Sequence, residues 1–141
     1  MSGLFLDTNI LLRHLLNDDP VKSKACFALI AAIEEGEQLA WTTDLVIAEI
    51  VFVLSNRKLY NLGREAIRDR LLPLLQLQGL RLPHKRLYGR IFELYTSLPI
   101  DYIDCYHAAL LERRKEPCLY SYDTDFDRIP TLTRREPPLN P

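Results

Sequence analysis

Leu4-Phe5-Leu6-Asp7-Thr8-Asn9-Ile10-Leu11-Leu12 is the stretch that decides the fold. Its first part is short, apolar and strand-like. From Ile10 to Leu16 the leucines recur at i and i+4, the spacing of one helix face. Between the two lie Asp7, Thr8 and Asn9, residue types whose side-chain oxygens cap helix starts. A strand feeding directly into a helix opens an α/β domain. In open parallel sheets ligands bind beyond the carboxyl ends of the strands, and Asp7 falls there.

The pattern repeats downstream. Asn17-Asp18-Asp19-Pro20 reads as a turn, with Pro20 at the first position of a helix over 21–35 and Gly36 ending it. A strand is predicted at 39–42, and a helix follows from Thr43-Asp44 to Ser55. That helix is apolar nearly all round, so burial on every side is expected. A further helix spans 63–77, where Pro73 should kink or divide it. A strand at 79–83, an amphipathic helix over 85–97, a helix from Asp101 to about 115 and a strand at 118–122 complete the series. In the amphipathic helix Leu87, Ile91, Phe92 and Tyr95 face inward. Alternating strands and helices imply parallel pairing, helices on both sheet faces and right-handed crossovers. The expected organisation is one α/β domain over residues 1–130 and a proline-rich tail over 131–141.

Composition agrees with an ordinary globular domain: 141 residues, 48% hydrophobic and 26% charged. No apolar run is long enough to span a membrane, and no basic n-region precedes the first strand, so neither a membrane segment nor a signal peptide is expected. Cys26, Cys105 and Cys118 are odd in number and lack paired spacing; they read as reduced thiols, which fits the cytoplasm. A net charge of −1 does not advertise a polyanion partner.

Four acids stand in apolar surroundings: Asp7, Glu49 within Val46-Ile47-Ala48-Glu49-Ile50-Val51-Phe52, Asp104 within Ile103-Asp104-Cys105-Tyr106-His107-Ala108, and Asp123 closing Cys118-Leu119-Tyr120-Ser121-Tyr122. A carboxylate buried among such neighbours must be protonated, paired or bound to a cation. Each has a local explanation as well. Asp7 can cap a helix. Glu49 can pair with a distant arginine. Asp104 can complete a capping box with Asp101, and Asp123 sits in a turn with Asp125 and Asp127. Glu49 is the hardest to explain locally, since no basic residue lies four positions on. Taken together the acids suggest an oxygen-only site for Mg²⁺ or Mn²⁺, with Asp125 next in line after Asp123. Thr8, Asn9 and Ser121 are placed to orient water around such a cation. Chemistry of this kind suits hydrolysis of a phosphodiester.

The ordered set Phe5-Leu6-Asp7-Thr8-Asn9-Ile10-Leu11-Leu12, a Glu inside an apolar helix, Asp104 before His107-Ala108-Ala109-Leu110, and Ser121-Tyr122-Asp123-Thr124-Asp125-Phe126 resembles the PIN domain. More narrowly it is similar to the VapC-type toxins of toxin–antitoxin pairs. The resemblance runs from Leu4 to about Ile129. It implies a three-layer α/β/α sandwich around a central, short-stranded parallel sheet, and Mg²⁺- or Mn²⁺-dependent endoribonuclease activity. It also implies a homodimer and a cognate antitoxin that blocks the acidic pocket. By resemblance, Asp7, Glu49, Asp104 and Asp123 are the metal-binding, catalytic acids, with Thr8 or Ser121 supporting the metal water. Asp125 is left as a sharer of the fourth role.

RNA must also be gripped. Arg81, Lys85, Arg86 and Arg90 place four of the 18 basic residues within ten positions, with Tyr88 available for stacking. A solvated helix face explains the same pattern, and Arg113-Arg114-Lys115 suits a helix C-terminus whatever the ligand. No Gly-rich phosphate loop and no nucleophile elbow is present. The competing class is a non-catalytic PIN-like module that binds RNA or protein.

Overall fold

The computed structural model describes residues 3–140. In chain order the first elements are β1 (Leu4–Phe5), α1 (Thr8–Leu16), α2 (Pro20–Glu34), β2 (Ala40–Trp41), α3 (Asp44–Ser55), α4 (Arg64–Leu75) and β3 (Leu80–Arg81). A 3₁₀ turn at Lys85–Leu87 leads to α5 (Tyr88–Ser97), α6 (Tyr102–Glu112) and β4 (Cys118–Tyr120). A second 3₁₀ segment (Thr124–Arg128) precedes β5 (Thr133–Arg135). The fold is mixed α/β, and every strand pair is parallel. Two compact units divide at Arg86 and Leu87.

The first unit is a three-stranded sheet of order β1-β2-β3, with a helix pair in each crossover. Register is set by Leu4 opposite Ala40 and Ala40 opposite Leu80. Local chemistry explains the helix ends. Asp19 caps α2 by accepting from Lys22 N, and Pro20 takes the first turn, where a missing N–H costs nothing. At the other end Gly36 adopts φ +80°, with Glu37 N bonded to Ala32 O and Gly36 N to Ile33 O, a Schellman closure. Gly79 is needed for another reason: a Cβ there would lie 2.4 Å from Ile33 O. The core is aliphatic, built from Leu11, Ile33, Ile47, Ile50, Leu54, Ile67, Leu71, Leu75 and Leu80. Buried Thr42 is satisfied by donating to Leu6 O at 2.9 Å.

The second unit packs α5 on α6. Phe92, Tyr95 and Tyr102 meet edge-on or tilted at centroid distances of 5.7–6.1 Å, and Cys105, Ala108 and Ala109 let the helices approach. Leu87, Ile91, Phe92 and Tyr95 face inward as their spacing predicts. β4 and β5 pair in parallel, Cys118 opposite Thr133.

The strands pair in parallel as expected, in a three-stranded and a two-stranded sheet. Three features differ from the sequence expectation. Pro73 neither divides nor ends α4, because it sits in the last turn, where one missing N–H is tolerable. Helix α3 is not buried all round: Leu45 is 78% and Phe52 64% exposed. Hydrophobicity along a helix does not say which face is covered. Finally, residues 131–141 are not all tail, since Thr133–Arg135 forms β5. Proline blocks pairing only from Pro137 onward; the three residues before Glu136 have free N–H groups that β4 recruits.

Candidate active site

In the first unit β1 delivers Asp7 to the start of α1. Asp7 has extended backbone (φ −82°, ψ 166°), and its Oδ1 accepts from Thr8 N at 2.8 Å. Thr8 is buried, and its Oγ1 donates to Glu49 Oε2, also at 2.8 Å. Two acids from distant parts of the sequence are therefore joined through one threonine. Both carboxylates lie at the N-terminal end of α1, where unpaired N–H groups favour negative charge. Asn9 is exposed on the same first turn.

Glu49 departs from expectation. It is exposed, on the α3 face that also carries Leu45 and Phe52, and no ion pair holds it among the described residues. Its presence is thus not explained by a buried arginine partner, and its desolvation is not extreme. Asp7 and Asp123 are exposed too, and Asp104 is half-buried. What distinguishes these acids is the company they keep rather than their burial.

In the second unit Asp101 takes the N-cap position of α6 but makes no side-chain capping bond, so the capping box does not form. Asp104, two residues into that helix, faces Asp123. Burial pushes the Asp104 carboxyl above the usual carboxylate range, and the charges of Asp123 and Asp101 push it further; His107 pulls slightly the other way. A cation beside the two acids would relieve the repulsion that Asp104 meets.

The loop that carries Asp123 is tightly tied. Asp123 N donates to Ser121 Oγ at 3.0 Å, and Asp123 Oδ1 accepts from Asp125 N at 2.9 Å. Asp125 pairs with Arg128 at 3.6 Å, and Asp127 with Arg134 at 3.0 Å. Of the three acids in this segment, Asp123 alone turns to another acid. Arg134 was missed in the sequence because it lies in the stretch assigned to the tail. Its guanidinium also donates to Ser121 O at 2.9 Å and to Glu136 at 2.7 Å, bracing the loop from β5. No local signal marks it, since its partners lie up to 13 residues away.

The expected basic patch is largely committed elsewhere. Lys85 Nζ donates to Leu80 O at 2.6 Å and to Leu77 O, and burial lowers its pKa. Arg90 is bound to both carboxylate oxygens of Glu112 at 2.8 and 2.9 Å and to Glu93. Tyr88 is 1% exposed and cannot stack on a base. Arg81 and Arg86 remain exposed.

A family model described as PIN domain matches residues 4–132, nearly the whole chain. The chain belongs to the PIN domain family. No curated protein matches it. PIN is a nuclease-type fold, its nucleases usually use divalent metals, and the match suggests RNA as ligand. Among the described residues no three side chains of His, Cys, Asp or Glu come together as a metal-binding group; the acids of this PIN domain come as Asp7 with Glu49 and as Asp104 with Asp123. The donors fit a hard cation nonetheless: all are carboxylate oxygens, and the Asp104–Asp123 pair has an excess of negative charge that a divalent ion relieves. No described helix is long and apolar enough to cross a membrane.

Proposed function

We propose that this PIN domain is a Mg²⁺- or Mn²⁺-dependent endoribonuclease and the toxin of a type II toxin–antitoxin pair. The observation that carries it is the Asp104–Asp123 pair, two acids from α6 and the loop after β4 that act on each other, with no ion pair to Lys or Arg among the described residues. Cation binding is assigned to the acids of the two pairs, Asp7 with Glu49 and Asp104 with Asp123, and Asp125 is set aside by its pairing with Arg128. When bound, the cation lowers the pKa of water for attack on the phosphodiester and offsets charge on the leaving oxygen.

The protein's own groups prepare that site. Thr8 fixes one Glu49 oxygen and leaves the other free. Ser121 holds the Asp123 backbone, and the α1 N-terminus compensates negative charge at Asp7. Asn9 is exposed beside Asp7 to orient water. Exposed Leu45 and Phe52, one turn on either side of Glu49, support a protein partner that covers this acid, as an antitoxin must. The same two residues favour the alternative, a non-catalytic module that binds RNA or protein. The proposal includes a homodimer acting in the cytoplasm.

The test is cleavage of a structured RNA such as tRNA with Mg²⁺ or Mn²⁺, beside EDTA and an Asp7→Asn variant. Cleavage abolished by EDTA and by the variant is expected. Equal cleavage by the variant defeats the site assignment. Calorimetric titration with Mn²⁺ separates the two readings: a binding-only module takes up no cation. Light scattering at micromolar concentration reports the dimer.

A further inference from the structure

The second unit carries a cleft of about 540 Å³ bounded by the outer side of α6, by β4 and by the segment after it. Its size is in the range of small-molecule sites. Asp104 and His107 open one end, and Arg114, just past the helix, closes the other. The helix between Asp104 and Glu112 spans about 12 Å. Leu111 and the buried ring of Phe126 supply apolar wall, and Tyr120 on β4 stands over it, 67% exposed.

Two of these residues make no side-chain hydrogen bond or ion pair among the described residues. The tyrosines of α5 and the start of α6 are buried in the aromatic cluster, whereas Tyr120 presents its ring to solvent. Arg90 and Arg134 are saturated by carboxylates, whereas Arg114 makes no ion pair among the described residues. A free cation, a free aromatic face and, at the far end, Asp104 of the acid pair form a polar sequence along one groove. That sequence matches a nucleic-acid strand: phosphate on the guanidinium, base on the ring, and the next phosphate at the acids through a cation.

We propose that this cleft is a subsite for single-stranded RNA, in which Tyr120 stacks on a base and Arg114 pairs with a phosphate beside the bond to be cut. The ligand must be single-stranded there, because a paired base cannot present its face to Tyr120. The subsite rests on the ribonuclease proposal above, but RNA binding is read without cleavage. It also replaces the expected patch around Lys85 and Arg90 as the place where substrate is gripped.

The experiment is fluorescence anisotropy of a labelled ten-nucleotide single-stranded RNA with the whole protein in EDTA. Tyr120→Ala should weaken binding about fivefold or more. Arg114→Gln should lower the slope of log affinity against log salt by about 0.7. Arg113→Gln, a neighbouring cation outside the cleft, should leave that slope unchanged, and a duplex of the same sequence should bind less tightly. Tyr120 and Arg114 are exposed, and far-UV circular dichroism confirms that the variants fold. Wild-type affinity in Tyr120→Ala, equal effects of the two arginine variants, tight duplex binding, or no binding by the wild type each overturns the subsite. Loss of the ribonuclease proposal reads differently: binding follows this pattern while Mg²⁺ and Mn²⁺ give no cleavage.

Discussion

Thr8 Oγ1 donates a 2.8 Å hydrogen bond to Glu49 Oε2, so a buried hydroxyl on the first turn of α1 fixes a carboxylate on α3. The same residue's N–H is held by Asp7. Thr8→Val keeps the branched shape and removes the donor. It should cost about 1 kcal/mol in stability, read by urea unfolding. Cleavage and Mn²⁺ affinity should fall by about tenfold or more, the usual effect of freeing a group that orients a metal ligand. Thr8→Ser retains the donor and should recover most of both. Wild-type Mn²⁺ affinity in Thr8→Val means that Glu49 does not depend on Thr8 for its orientation.

Arg134 makes a different kind of support. One guanidinium holds Asp127, Glu136 and the carbonyl of Ser121, the residue whose hydroxyl receives Asp123 N–H. Arg134→Gln should weaken Mn²⁺ binding about tenfold by loosening the Asp123 loop, without touching substrate. Arg134→Lys restores charge but not the planar fork, and should recover only part. Saturating Mn²⁺ should restore the cleavage rate of both variants; a rate deficit that persists at saturation contradicts a positioning role.

Glu112 provides the pH test. Arg90 holds its carboxyl below the usual carboxylate range, with burial opposing and Thr131 assisting. A carboxyl with a depressed folded-state pKa contributes stability above its unfolded pKa and loses it as pH falls through the folded one. Glu112→Gln should therefore lower the melting temperature by about 3 °C at pH 7, taking about 1 kcal/mol for a partly exposed pair. The gap should close as pH drops below about 4. A gap unchanged at pH 3 would show that packing, not charge, sets the effect.

What the sequence shows and what it hides divide by distance along the chain. Caps and turns are local: Asp19 before Pro20, Gly36 after α2 and Asp7 before α1 are each decided within four residues, and each is found where expected. The pairing of Arg90 with Glu112, 22 residues away, cannot be seen in either neighbourhood, so Arg90 looked free for RNA. β5 depends on β4 and not on its own composition. Within α3 the apolar run hides the fact that Leu54 is fully buried and Phe52 is not. Glu49 looked like a buried charge for that reason. Its proposed role rests on its bond to Thr8.

Asp104 and Asp123 decide whether the acid pair acts as a unit. Asp104→Asn and Asp123→Asn should each lower single-turnover cleavage at least about a hundredfold, since each removes an oxygen proposed to hold the cation. If both serve one ion, the double variant should be little worse than the poorer single one, because the second substitution finds the site already lost. Asp125→Asn gives the contrast. It breaks only the exposed pair with Arg128, so cleavage should stay within about twofold of wild type. Mn²⁺ calorimetry on the same three proteins should show uptake in Asp125→Asn and little in the other two. A severe defect in Asp125→Asn beside a mild one in Asp123→Asn would transfer the fourth acid's role to Asp125, and the loop would then have to turn over when the cation binds.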